Sequence, residues 1–229
     1  MLYCKQSLNS WDLIYKNGLQ LNLWPFSNLV GIFKRFERFN LSGLTSILEL
    51  GCGAGANSQI FINSNYSYLG VDCSQIAIDF ALQKYRFSNL QFLTQNLEFY
   101  KPVKKNGIVF DRAALTHLNM SQLEKVKKNI LTSIEPGGLY IGVDWFSMDH
   151  PDRKYSRKRI DKYTYSGFTS GQFVKIDQVQ FFDTNRIKQL MLESEMELLY
   201  FDLQEKVNKL SKNNEIFNSQ YSFVARKIE

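Results

Sequence analysis

Three glycines at alternate positions, Gly51, Gly53 and Gly55, follow an apolar run that ends in a carboxylate, Ile47-Leu48-Glu49-Leu50. That order specifies a strand, a tight turn and the start of a helix. Residues without a Cβ let the backbone turn sharply and lie against a ligand. After a helix-sized gap a second apolar run, Tyr66 to Val71, ends in Asp72. A carboxylate at such a strand tip can accept both hydroxyls of a ribose, so the unit reads as a nucleoside-binding half-fold. Glu49 adds negative charge where a dinucleotide's pyrophosphate would be repelled, which suits a ligand with a cationic amino group. A nicotinamide dinucleotide fingerprint also places two residues between its last two glycines. Here Ala54 stands alone between Gly53 and Gly55.

The segments ILELGCGAGAN and YLGVDCSQIAID resemble motifs I and II of the class I S-adenosylmethionine-dependent methyltransferases. Further segments follow in the family's order. Gln91 to Leu97 resembles the third strand and its adenine-side loop. Gly107 to His117 resembles motif IV, Ile134 to Ile141 the Pro-Gly-Gly approach to the fifth strand, and Tyr221 to Arg226 the reversed last strand. The resemblance runs from about Thr45 onward. It implies an α/β, Rossmann-like class I methyltransferase fold: a mostly parallel sheet with helices on both faces and an antiparallel last strand.

The resemblance also implies the cofactor, S-adenosyl-L-methionine, and its contacts. Glu49, Gly51, Cys52, Gly53, Gly55 and Asn57 come from the first motif, and Asp72 and Cys73 from the second. Asn96 and Leu97 would line the adenine pocket. Asp111 would stand near the methyl group, and Tyr15 would close over the methionine part. The family often has Asp where this chain has Asn96. An amide oxygen can still accept from the adenine amino group, without charge assistance.

Methyl transfer from a sulfonium asks the protein to position a nucleophile, exclude water and sometimes remove a proton. Asp111 and His117 are the candidate catalytic residues. His117, with a pKa near neutrality, suits a hydroxyl acceptor, while Asp111 can orient the acceptor, take its proton or brace the structure. Arg112 can hold an anionic acceptor or pair with Asp111. Trp145 and His150 leave the fifth strand on the same rim and are candidate acceptor contacts. Trp11 and Tyr15 lie four residues apart on one helix face; the reading favours function for Tyr15 and packing for Trp11. Arg153, Lys154, Arg157, Lys158, Arg159 and Lys162 form a basic run interleaved with tyrosines. It reads either as a solvated loop or as an anion site.

The segments WDLIYKNG, FDRAALTHL and VDWF resemble bacterial small-molecule methyltransferases, including some found with surface-polysaccharide genes. That likeness implies O-methylation of a small polar, anionic acceptor that contains sugar or phosphate, in capsule polysaccharide biosynthesis. N-methylation, an RNA methyltransferase, a nicotinamide-dependent oxidoreductase and a non-catalytic cofactor-binding subunit are the alternatives. The Asn-Pro-Pro loop of adenine- and glutamine-modifying enzymes is missing from the sequence.

The elements that must carry these residues follow from periodicity. One domain spans 1–229: an N-terminal helical cap (1–44), a cofactor-binding half (45–147), an acceptor-recognition insert or lid (148–180) and a C-terminal helix with strands (181–229). The cap has helices at Trp11 to Gly18 and after Pro25, the second with Phe26, Leu29, Val30, Phe33 and Phe36 on one face. Strands are expected at Ser46 to Leu50, Tyr66 to Asp72, Leu90 to Thr94, Ile108 to Asp111 and Leu139 to Trp145. Helices lie between them, at Ala56 to Asn63, after Ser74 and after a capping box at Ser121-Gln122-Leu123-Glu124. Asp183 caps a late helix, and Met196 to Leu203 and Phe217 to Val224 pair antiparallel.

The 229 residues are 44% hydrophobic with a net charge of +6, which supports a sizeable core and excludes general disorder. So mild a positive balance demands no nucleic acid, and none is expected as a partner. The three cysteines, Cys4, Cys52 and Cys73, have no metal-ligand spacing and point to a reducing compartment. No secretory signal and no run of roughly eighteen apolar residues is visible, so a cytoplasmic protein without a membrane span is expected and no metal is called for.

Overall fold

The computed structural model describes residues 10–211 and 215–228; Cys4 lies outside them. Helix α1 (10–16) and helix α2 (Ser27–Phe36) lead into the glycine turn. Then strands and helices alternate: β1 (Ser46–Leu50), β2 (Ser67–Asp72), α3 (Gln75–Lys84), β3 (Leu90–Thr94), β4 (Asn106–Arg112), α4 (Met120–Asn129) and β5 (Ile134–Phe146). The insert contributes β6 (Lys158–Arg159), β7 (Thr164–Ser166) and β8 (Gln178–Gln180). Helix α5 (Thr184–Glu193) and strands β9 (Met196–Asn208) and β10 (Glu215–Lys227) close the chain.

The main sheet has seven strands in the order β3-β2-β1-β4-β5-β10-β9. The first five run parallel, and β10 is antiparallel to both neighbours. Because side chains alternate across a strand, each β1 and β4 residue is assigned to one face. Leu48, Leu50 and Val109 pack under α4 and α5 with Leu123, Val126, Ile187 and Leu190. Ile47, Ile108 and Phe110 pack under α2 with Leu29, Phe33 and Phe36. Each such buried side chain contributes about 1.5–3 kcal/mol over its exposed state.

Local signals set most helix starts. Ser74 accepts from the Ala77 N–H and Asp183 from the Arg186 N–H, as expected of N-caps. The α4 cap differs from the sequence reading. The capping box is Asn119 with Gln122, not Ser121 with Glu124: Asn119 accepts from the Gln122 N–H while Gln122 accepts from the Asn119 N–H. The stretch after the glycine turn is a short 3₁₀ helix, Ala56–Phe61, rather than an α-helix to Asn63.

The insert is ordered by an aromatic core of its own. Phe168, Phe173 and Phe181 pack on Phe146 at the end of β5. Its strands β6, β7 and β8 form a separate three-stranded antiparallel sheet. This core seats the insert over the carboxyl ends of β4 and β5. Among the described residues no helix is long and apolar enough to cross a membrane.

Candidate functional site

The carboxyl ends of β1, β2 and β4, helix α1 and the insert surround a cavity of about 230 Å³. Its floor is the glycine turn. Gly51 and Gly53 have φ of +66° and +53°. A Cβ on Gly51 would strike the Ala114 side chain, and one on Gly53 would strike the Tyr15 hydroxyl. The turn therefore admits no side chain at either position.

Two carboxylates flank the turn. Asp72 Oδ2 accepts from the Gly53 N–H and Oδ1 from the Ser74 N–H, both at 2.8 Å, which clamps β2 to the turn. Burial nonetheless raises its pKa. Glu49, 1% exposed, accepts from Asn57 Nδ2 at 2.8 Å and from the Tyr68 hydroxyl. Both donors are neutral, and burial pushes Glu49 up to about 8. The cavity thus has two buried acids in its wall, and among the described residues no cationic side chain is hydrogen-bonded to either. A ligand carrying a positive charge offsets that cost, so the residues present fit S-adenosylmethionine.

Tyr15, Glu49, Gly51, Cys52, Gly53, Asn57, Asp72, Cys73, Asn96 and Leu97 all line this cavity, as do Arg112 and His117. Asn96 Oδ1 accepts from the Glu98 N–H at 2.8 Å, and an amide oxygen has a second lone pair to offer a ligand. Trp11, read as packing, also lines the cavity, edge-on to His117 with ring centroids 5.0 Å apart.

Four residues read as site residues stand behind the wall. Gly55, at φ +78°, packs against Phe92 and Ala81 and holds the turn. The strand alternation turns Asp111 to the α4 and α5 face, away from the rim. There it is fully buried and accepts from the Tyr140 hydroxyl at 2.7 Å, Trp145 Nε1 at 3.0 Å and the Leu115 N–H at 3.1 Å. Burial pushes it up to about 6. Trp145 is fully buried against Phe182 and Phe223, with its indole N–H spent on Asp111. His150 is 2% exposed and packs on Phe146 and Phe173 inside the insert.

His117 is on the wall with a defined tautomer. Its Nδ1 lies 3.4 Å from the main-chain oxygen of Gln178, which can only accept, so Nδ1 carries the proton and Nε2 a lone pair. Gln178 returns the contact, donating from Nε2 to the His117 carbonyl at 3.0 Å and to Gln122 Oε1 at 2.7 Å. Desolvation lowers the imidazole to about 4 rather than leaving it near neutrality.

Arg112 neither pairs with Asp111 nor stands alone. Its Nε donates to Asp144 at 2.8 Å, and its guanidinium lies 3.9 Å from the centre of the Phe26 ring. Asp144 holds a φ of +59° within β5 and accepts from Asn28 as well. In the basic run, Arg153 lies over Tyr165 and donates to the Met148 carbonyl, and Arg159 donates to the Asp161 and Lys162 carbonyls. None of the run's six cations lines the cavity. Sequence reasoning also missed Gln122, Gln172 and Phe173 as lining residues; the capping pattern marks Gln122 only as a helix start, and no motif marks Gln172 and Phe173 in the insert.

Residues 47–138 match a family model described as a methyltransferase domain. Solved structures share the fold over almost the whole chain. The methyltransferase of Burkholderia thailandensis acting on 1,6-didemethyltoxoflavin has a TM-score of 0.70 at 14% identity, covering 99% of this chain and 90% of that one. A S-adenosylmethionine-dependent methyltransferase from Clostridium acetobutylicum has a TM-score of 0.64 at 15% identity, with 100% of both chains covered. One from Methanosarcina mazei has a TM-score of 0.63 at 17% identity, covering 80% and 92%. No curated protein matches the chain by sequence.

Proposed function

We infer that this chain, an S-adenosylmethionine-dependent methyltransferase with its methyltransferase domain at 47–138, O-methylates a small polar acceptor held between the sheet and the insert. The observation that carries the cofactor assignment is the pair of buried acids, Glu49 and Asp72, beside a turn that tolerates no side chain at Gly51 or Gly53. Asp72 would hold the ribose hydroxyls, Glu49 the ammonium end, and Leu97 the adenine. When bound, the cofactor supplies a methyl group already activated by a sulfonium sulfur.

The chain's own part is positioning and proton management. Tyr15 and Trp11 line the cavity from α1, where they would shield the reacting groups from water. His117 Nε2 takes the hydroxyl proton, and its ring is held for that purpose by Gln178 through Nδ1. Asp111 acts as a brace for Trp145 and Tyr140 behind the wall.

The expectation of an anionic acceptor gains no support from the basic run, none of whose six cations lines the cavity. A surface-polysaccharide setting rests on sequence likeness alone. The Burkholderia neighbour, named as a 1,6-didemethyltoxoflavin-N1-methyltransferase, supports a small-molecule acceptor and keeps N-methylation as the second reading.

Calorimetry with S-adenosylmethionine and S-adenosylhomocysteine tests the cofactor assignment; no binding of either by folded protein would overturn it. A screen of hydroxyl-bearing acceptors for S-adenosylhomocysteine formation tests the reaction.

A further inference from the structure

The acceptor half of the cavity has its own hydrogen-bond polarity. Gln122 Oε1 is occupied twice, by the Asn119 N–H at 3.0 Å and by Gln178 Nε2 at 2.7 Å. Both donors lie on the protein side, so the amide nitrogen of Gln122 is the end left to the cavity it lines. His117, clasped to the same Gln178, offers a lone pair at Nε2. One wall therefore presents a donor next to an acceptor.

A second amide is polarised in the same way. His150 Nδ1 accepts from the Asp152 N–H at 3.1 Å, so Nε2 must bear the ring proton. The Gln172 amide lies 2.7 Å from that Nε2. Two donors cannot face each other, so the Gln172 amide is assigned with its oxygen against the ring, beside the Asn218 side chain that also bonds the imidazole. The Gln172 nitrogen is then turned outward as another donor. The same lining includes the aromatic rings of Trp11, Phe146 and Phe173. Arg112 is the one Lys or Arg among the described lining residues, and Asp144 already neutralises it.

We propose that the acceptor is an uncharged, flat ring bearing a hydroxyl with a carbonyl oxygen on the neighbouring atom. The hydroxyl donates to His117 Nε2, and the carbonyl accepts from the Gln122 amide, with Gln172 as a second donor. The aromatic side chains cover the ring faces. This deepens the methyltransferase reading and rests on it. In the transfer, the hydroxyl oxygen bonds the methyl carbon as the carbon–sulfur bond breaks with its electron pair left on sulfur, and the hydroxyl proton passes to His117 Nε2.

Acidity points the same way. A ring hydroxyl resembles tyrosine, with a pKa of about 10, and an adjacent carbonyl lowers it further. An unactivated alcohol is about as weak an acid as water, about 15.7. An imidazole made a weaker base by burial takes a proton from the former more readily than from the latter.

The test is calorimetry on the full chain saturated with S-adenosylhomocysteine, with four probes. Hydroxychromone carries the hydroxyl beside the carbonyl, chromone lacks the hydroxyl, naphthol lacks the carbonyl, and glucose phosphate is anionic. We expect hydroxychromone to bind at least about tenfold more tightly than each of the others. Gln122→Glu keeps the oxygen that Asn119 and Gln178 use and suits the capping box, but replaces the donor with an acceptor. It should abolish the margin over chromone and naphthol while leaving S-adenosylhomocysteine affinity and the melting temperature unchanged. Equal binding of chromone or naphthol, preference for glucose phosphate, or an intact margin in Gln122→Glu would overturn the proposal. Failure of S-adenosylhomocysteine itself to bind would instead overturn the methyltransferase reading on which it stands.

Discussion

Binding of the cofactor product should release a proton, and Glu49 should be its source. Burial holds this carboxyl near 8 against the pull of the Asn57 and Tyr68 hydrogen bonds, with Asp72 and Asp111 adding repulsion. A group with that pKa carries about 0.9 of a proton at pH 7. An ammonium brought against it favours the ionised form. S-Adenosylhomocysteine should therefore bind with loss of about 0.9 proton at pH 7, and its affinity should rise about ninefold between pH 6 and pH 7. Calorimetry in two buffers of different ionisation enthalpy counts the protons directly. Glu49→Gln should abolish the release and weaken binding by about 1.5–3 kcal/mol, the worth of a hydrogen bond to a charged group. Proton uptake by the wild type, or release that persists in Glu49→Gln, would refute the reasoning. The same shift sets a stability trend without ligand. The folded pKa is raised, so Glu49's contribution is complete below about 4.5 and is lost as pH climbs to about 8, by at most about 5 kcal/mol.

Three further outcomes are expected. His117→Ala should lower kcat by about a hundredfold with cofactor affinity intact; because burial keeps the wild-type imidazole neutral down to about 4, its acid limb should lie near pH 4, and turnover unchanged across pH in the variant would show that His117 is not the base. Trp145→Phe removes the indole N–H from buried Asp111 and should cost about 1–3 kcal/mol in chemical denaturation, leaving S-adenosylhomocysteine affinity unchanged; lost affinity at unchanged stability would return Trp145 to the cavity wall. Asp72→Ala should weaken cofactor binding by about 1.5–3 kcal/mol, and undiminished affinity by calorimetry would remove Asp72 from the ribose.

The cofactor half was legible because its signals are local. Strands β1 and β3 have the bounds read from the apolar runs, since each run is cut off by a turn or loop directly after it. The acceptor half was not. Asp111 and Trp145 looked like rim residues; strand alternation turns Asp111 to the core, and the left-handed Asp144, at φ +59°, breaks the alternation of β5 and brings Trp145 to the same face. Trp11 and Tyr15 share a helix face, but spacing cannot tell a cavity wall from a core. The helix α4 cap had two overlapping templates; the Asn119–Gln122 pair forms, and Gln178, 56 residues away, also holds Gln122. The insert's strands are two or three residues long, too short for any period to show.

Helix α1 has a consequence for kinetic order. Asp12 accepts from the Ser74 hydroxyl at 2.6 Å, beside the second cofactor motif, while Ser10 donates to Asp177 of the insert at 3.0 Å. One short helix is latched to both halves, with Tyr15 over the glycine turn and Trp11 against His117. As a hypothesis, lifting it unseals both compartments in one event, so the two products leave under a common gate rather than by separate doors. A viscosity-independent kcat, or an Asp12→Ala variant that accelerates release of one product and not the other, would show that the compartments open separately.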